Sequence, residues 1–313
     1  MPRTVIAIGG NSLIPDASHV TVQDQYAAAA ETDDHIASLV QDGWDVAISH
    51  GNGPQVGFIL RRSELASNEL HEIPLDYCGA DTQGAIGYML QQNLTNDFRQ
   101  RGIHKSVATV VTQVEVARDD PAFASPSKPI GSFMDEAKAM QRHREDGWDV
   151  REDAGRGWRR VVASPAPVRI VEIDVIRRLL DAGVITIAVG GGGIPVVTND
   201  DGDLEGVPAV IDKDLASSML AREVGADLLL ISTAVEHVAL DFGRPTQRWM
   251  DRFTLDEVKH YLAEGGHFLE GSMAPKMRAV VEFLEGGGTE ALITNPANLE
   301  RAMAGLTGTR IVK

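Results

Sequence analysis

One cysteine, Cys78, in 313 residues excludes an internal disulfide framework and a multi-cysteine metal site. No apolar run approaches the roughly 20 residues that span a bilayer, so no transmembrane helix is expected. The opening Met1-Pro-Arg-Thr4 runs directly into a strand-like segment and lacks the pattern of a secretory signal. Together these absences make the cytoplasm the expected location and leave no membrane partner. Positive charge is also scarce. A net charge of −16 argues against a broad basic face and so against nucleic acid as a partner. Two nucleotide signatures are missing too. Neither Gly51–Gly57 nor Gly190–Gly193 fits GxGxxG, and no GxxxxGK[ST] loop occurs, which weighs against a nicotinamide dehydrogenase and a P-loop NTPase.

What the chain does have is glycine at strand ends. Val5-Ile-Ala-Ile-Gly9-Gly10-Asn11, Ala47-Ile-Ser-His50-Gly51-Asn52-Gly53-Pro54 and Ile187-Ala-Val-Gly190-Gly-Gly-Gly193 each run an apolar strand into a glycine turn. Such turns let the backbone approach a ligand closely and free amide groups to bind anions. Any one of them is explained as well by a tight turn; three in one chain point to a phosphate-handling cleft.

Strands and helices alternate along the sequence. Strands are expected at Thr4–Ile8, Asp45–Ser49, Ser106–Val111, Val184–Val189, Asp227–Ser232, Ala291–Thr294 and Thr309–Val312. Helices are expected near Gln25–Val40, from Pro54, at Ala80–Arg99, Glu172–Leu180 and Asp214–Val224, at Leu255–Ala263 with Thr254 and Glu257 as a capping-box pair, at Pro275–Glu285 and at Pro296–Met303. The alternation predicts an α/β fold, a largely parallel sheet covered on both faces. Ligands of such sheets bind outside the carboxyl ends of the strands, where the glycines lie. The stretch 116–167 breaks the rhythm. It is rich in Pro, Ser, Arg and Asp, holds Ser125-Pro-Ser-Lys-Pro-Ile-Gly131 and Gly155-Arg-Gly-Trp-Arg-Arg-Val-Val162, and has little helical periodicity beyond Glu136–Arg144. It reads as an ordered excursion with a small hairpin, a flap over the cleft that delivers Lys128.

Only seven of the 29 basic residues are lysine. Three of these have unusual settings: Ser127-Lys128-Pro129, Asp212-Lys213-Asp214 and Pro275-Lys276. A compact ammonium suits charge neutralisation on a phosphoryl group. At Val210-Ile-Asp-Lys-Asp214 an acidic residue near a helix start also has a plain explanation in the helix dipole. Thr233-Ala-Val-Glu236, after a strand, is a candidate nucleotide-base wall. His50 stands at a strand end within reach of a substrate, and the nine histidines show no metal-site spacing. Cys78 is expected to be a buried small hydrophobe, and Arg61-Arg62 and Arg177-Arg178 solvated helix faces.

These segments closely resemble the carbamate kinases of the amino-acid kinase superfamily. The resemblance runs through Ile8-Gly-Gly-Asn11, Ser49-His-Gly-Asn-Gly-Pro-Gln-Val-Gly57, Pro74-Leu-Asp-Tyr-Cys-Gly79, Gln83-Gly84, Lys128-Pro-Ile-Gly131, Gly157-Trp-Arg-Arg-Val-Val162, Gly190-Gly-Gly-Gly-Ile-Pro195, Val210-Ile-Asp-Lys-Asp214 and Gly271-Ser-Met273 with Pro275-Lys276. It implies a three-layer αβα sandwich around a largely parallel open sheet, one domain over 1–313. Residues 1–195 would form the lobe for carbamate or carbamoyl phosphate, including the flap 116–167, and 196–313 the nucleotide lobe. It further implies ATP or ADP with Mg²⁺, a homodimer, and phosphoryl transfer between ATP and carbamate. Gly9, Gly10, Asn11, Gly51, Asn52 and Gly53 would hold the carbamoyl phosphate, with Lys128 closing from the flap. Lys213 and Lys276, organised by Asp214, would lie on the transferring phosphoryl group; Asp212, Thr233, Val235, Ser272 and Met273 would complete the nucleotide site. Ser12 stands where the family motif usually has Ala, and Ala274 where Gly is usual. The competing readings are a related kinase with another acceptor and a nucleotide or acyl-phosphate sensor without turnover. Four charged residues at one centre, Lys128, Lys213, Asp214 and Lys276, argue against mere sensing.

Overall fold

The computed structural model describes residues 1–14, 18–153 and 157–313; Gly155-Arg156 of the flap segment and the side chain of Asn11 lie outside the described residues. The chain starts with β1 (Arg3–Ile8), a 3-10 turn at Gly10–Ser12, α1 (Val22–Gln41), β2 (Asp45–His50), α2 (Gly53–Ala66) and α3 (Leu75–Arg101). Short strands β3 (Val107–Thr109) and β4 (Gln113–Val116) lead into the flap segment: α4 (Pro121–Ala124), β5 (Lys128–Met134), α5 (Glu136–Asp146), β6 (Val150–Glu152) and β7 (Trp158–Val162). The chain returns through β8 (Pro167–Ile170), α6 (Ile173–Asp181), β9 (Ile185–Ile187), β10 (Ile194–Thr198), β11 (Leu204–Gly206), α7 (Lys213–Glu223) and β12 (Leu228–Ser232). It ends with β13 (Val238–Leu240), β14 (Arg248–Met250), β15 (Arg252–Thr254), α8 (Leu255–Glu264), α9 (Met273–Glu285), β16 (Glu290–Thr294), α10 (Leu299–Met303) and β17 (Thr309–Val312).

The main sheet has the order β15-β17-β16-β12-β1-β2-β9-β3. Its pairs are parallel except β16–β17. Side chains of alternate strand residues go to opposite faces, and each face has its own core. Val5 and Ala7 of β1 join Leu229 and Ile231 of β12 under α6, α7, α8 and α9. Ile6 and Ile8 join Leu228 and Leu230 under α1, α3 and α10. The result is the αβα sandwich. No helix among the described residues is long and apolar enough to cross a membrane.

Local signals set the helix ends. Thr254 and Glu257 close the expected capping box, and Thr21 with Asp24 forms a second one. Gly102 ends α3 in the left-handed region at φ 68°. The strand expected at Val184–Val189 stops at Ile187 because Val189 turns to φ 55°. For a β-branched residue this is a strained conformation, costing about 1–3 kcal/mol. The expected helix from Pro296 divides into a 3-10 turn at Pro296–Asn298 and α10. Ala274 sits inside the first turn of α9, buried, so that turn needs no glycine.

There are smaller sheets as well. One has the order β11-β10-β4-β8, β13 pairs with β14, and another, β5-β7-β6, belongs to the flap segment and pairs Lys128 with Val162. Ile130 and Val162 pack on Val56, Leu75 and Cys78, which joins the flap segment to α2 and α3. Cys78 is fully buried and its thiol is pushed up to about 11, chiefly by burial. It is the small buried hydrophobe expected.

Candidate functional site

The glycine turns meet one another before they meet any ligand. The Gly9 amide donates to Ser232 O at 3.0 Å, and the Gly51 amide to Ile8 O at 2.8 Å. Both amides are therefore used within the sheet layer and do not face a ligand as the strand-end glycines suggested. What requires Gly51 is close approach: a Cβ there would lie 2.6 Å from Gly10 N and 2.9 Å from Gly10 Cα. The start of α2, where Gly53 and Pro54 open the helix, borders the cleft and is a place where helix-terminal amides can meet an anion.

The third turn is held the same way. A Cβ at Gly190 would strike His50, one at Gly191 would strike Asn52, and one at Gly192 would strike Ile211 O. Gln83, fully buried, pins this turn with its carboxamide: Nε2 donates to Gly190 O at 2.9 Å and Thr112 O at 3.0 Å, and Oε1 accepts from Thr112 N at 2.7 Å. Sequence reading gave Gln83 no role, since its partners lie 29 and 107 positions away. His50 is also buried, its ring against Gly51 O at 3.1 Å; burial lowers its pKa to about 4. It is neutral at pH 7 and serves as packing behind the turn.

The third turn sets Ile211, and so the start of α7, at the carboxyl end of the sheet. Asp212 caps α7, with Oδ1 accepting from Asp214 N at 2.9 Å, while Oδ2 accepts from Lys128 Nζ at 2.8 Å. Asp214, buried, bridges two lysines: Lys213 Nζ at 2.7 Å on Oδ1 and Lys276 Nζ at 2.8 Å on Oδ2. Burial alone would raise the Asp214 pKa, but the two ammonium groups hold it well below the usual carboxylate range. The Lys213 pKa is lowered, first by burial and also by Lys276, against the opposing pull of Asp214. Ser217 anchors the helix turn: its Oγ donates to Lys213 O and lies 2.6 Å from Ser49 Oγ of β2.

These groups line one cleft of about 440 Å³. Gly10, Gly51, Asn52, Gly53, Lys128, Asp212, Lys213, Asp214, Thr233, Val235, Ser272, Met273 and Lys276 all border it. Gly9 stands behind Gly10, and the Asn11 side chain is outside the described residues. Ser12 borders a neighbouring cavity of about 780 Å³ that shares Thr233 and Ala234 with the cleft. The local carboxylates leave one lysine charge unbalanced, so the cleft favours an anion. Arg61 is exposed, as a solvated helix face should be, and pairs with Glu64 one turn on at 3.0 Å. The histidines include His35, 3.1 Å from Glu300 and beside Asp34, a grouping that the sequence spacing did not suggest and that lies outside the cleft lining.

An αβα sandwich with lysines clustered around a cleft at its strand ends defines a phosphoryl-transfer class of protein. The model of the "Amino acid kinase family" matches residues 2–295, and the chain belongs to that family. It is 48% identical to the carbamate kinase of Thermococcus kodakarensis, with 100% of both chains covered. It is 49% identical to the carbamate kinase-like protein YahI of Escherichia coli, covering 99% of this chain and 98% of that one. Carbamate kinase from Giardia lamblia bound to AMP-PNP superposes with a TM-score of 0.92 at 39% identity, over 100% of this chain and 98% of that chain.

Proposed function

We propose that this protein is a carbamate kinase. It transfers a phosphoryl group reversibly between ATP and carbamate; from ADP and carbamoyl phosphate it makes ATP and carbamate, which breaks down to ammonia and CO₂. The observation that carries this reading is the Asp214 bridge, which holds Lys213 and Lys276 in a cleft that Lys128 and the start of α2 also line. Phosphoryl transfer needs positioning and charge neutralisation more than covalent help.

In this reading the carbamoyl phosphate lies on Gly10, Asn11 and the turn 51–53, with Gly9 behind it, and Lys128 meets it from the flap. Lys213 and Lys276 neutralise the transferring phosphoryl group. Asp212, Thr233, Val235, Ser272 and Met273 border the nucleotide. Residues 1–195, with the flap 116–167, form the acceptor lobe and 196–313 the nucleotide lobe of one domain. Mg²⁺ fits as a companion of the nucleotide, because lysines occupy both oxygens of Asp214, and Lys128 and the Asp214 amide occupy those of Asp212; the phosphates would hold it. When bound it supplies further neutralisation of phosphate charge. The protein works as a cytoplasmic homodimer.

The test is ATP formation from ADP, Mg²⁺ and carbamoyl phosphate, corrected for spontaneous breakdown of the acyl phosphate. Rapid ATP production is the expected result. Intact ADP binding without ATP would mean another acceptor.

Gly51→Ala should reduce kcat/KM for carbamoyl phosphate about 10²-fold, since the new methyl forces the two turns apart at the substrate. Wild-type values in a folded variant would remove this contact from the site. The flap segment is expected to gain amide-exchange protection when ADP and carbamoyl phosphate bind, because Lys128 transfers from Asp212 to the ligand. Equal exchange at 116–167 with and without ligands would contradict that motion.

A further inference from the structure

A third cavity, about 230 Å³, lies between the flap segment and α2. In a chain of net charge −16, its lining carries four cations, Arg61, Lys138, Arg142 and Arg160, against one carboxylate, Glu64. Three of these cations have polar partners. Arg61 and Arg142 share Glu64 Oε2 at 3.0 and 3.6 Å, Arg142 also meets Asp146 at 2.6 Å, and Lys138 donates to Gln141 at 3.1 Å. Arg160 differs. Among the described residues it has no carboxylate at ion-pair distance; its guanidinium lies 4.8 Å from the Trp148 ring centre, with Arg142 at 4.9 Å on the same ring. Burial lowers its pKa, though Glu64, Glu72 and Asp146 offset part of that effect. Beside these charges stand apolar walls: Leu60, Ile130, Phe133 and Met134, of which Phe133 is 46% exposed.

We propose that this cavity binds a small organic anion with a flat apolar body, at a site separate from the phosphoryl-transfer cleft. The carboxylate would lie between the Arg160 and Arg142 guanidinium groups, relieving the repulsion of two cations on one indole, with Arg61 of the same lining adding its charge. The flat body would lie against Leu60 and Met134, since the Arg159 guanidinium already sits 5.1 Å over the Phe133 ring. The two sites share walls. Ile130 borders both, β5 carries Lys128 at one end and Phe133 near the other, and α2 supplies Gly53 to the cleft and Arg61 to the cavity. An occupant therefore ties the flap segment to α2.

Benzoate is the probe. Titrated into the full chain and followed by tryptophan fluorescence and calorimetry, it should saturate at one site, slow amide exchange over 128–146, and persist when ADP is added. Benzamide, its neutral counterpart, and inorganic phosphate, which has no apolar body, should bind at least about tenfold more weakly. Arg160→Gln should weaken benzoate about tenfold or more, and so should Arg61→Gln, on an exposed side chain whose replacement leaves the flap packing intact. Absence of saturation, equal binding of benzamide or phosphate, displacement by ADP, or unchanged affinity in both variants would overturn the proposal.

Discussion

Replacing Lys213 by Ala is expected to lower kcat about 10³-fold with the fold intact. The Lys213 side chain is 13% exposed, so its charge acts where water screens little, and charge developing on the phosphoryl oxygens meets it at nearly full strength. If Lys276 and the start of α2 bind the phosphates as proposed, the loss falls on kcat more than on KM. α7 keeps its place through the Asp212 cap and the Ser217 contacts. The pH profile adds a check. Only protonated Lys213 neutralises phosphate, and burial lowers its pKa from 10.5, so activity should fall on the alkaline side before an ordinary lysine would titrate. Steady-state kinetics with a thermal melt decides the matter; unchanged turnover in a folded Lys213→Ala protein would remove this residue from the mechanism.

Asp214→Asn should have two large effects. The variant leaves two ammonium groups, both largely buried, with an amide between them, and breaking a buried pair from one side costs about 3–5 kcal/mol. A domain stable by about 5–15 kcal/mol feels that in a denaturant titration. Lys213 also loses the charge that favours its protonated form. Its pKa falls further, the alkaline limb of the kcat profile moves to lower pH, and kcat at pH 7 drops by about 10²-fold or more. A profile that stayed in place, with stability unchanged, would show that Asp214 does not organise the two lysines.

The parts of this site that sequence revealed are the local ones. Apolar strands entering Gly9-Gly10, Gly51 and Gly190–Gly193 marked the working edge of the sheet, and Asp212-Lys213-Asp214 announced its own charge cluster. The capping box at Thr254 and Glu257 placed a helix start correctly. What escaped depends on residues far apart in the chain. Lys128 reaches Asp212 across 84 positions, and Gln83 clamps a glycine turn 107 positions away. The Gly9 and Gly51 amides were given to a ligand because nothing local shows that Ser232 O and Ile8 O accept them. Val189 shortened its strand through a left-handed backbone that no propensity of valine suggests.

The Asp212 carboxylate, cap of α7 and partner of Lys128, gives the cleft a threshold. An ammonium already satisfied by a carboxylate gains from an incoming anion only the difference between the two interactions. Both partners are partly solvated, at 35% and 16% exposure, so the exchange is shallow in energy. A monovalent ion such as chloride offers less than the carboxylate it would replace, and the lysine stays docked. A doubly charged phosphate that also meets Lys213, Lys276 and the α2 amides offers more. A cleft gated by this pair should therefore select multiply charged anions over common monovalent ones.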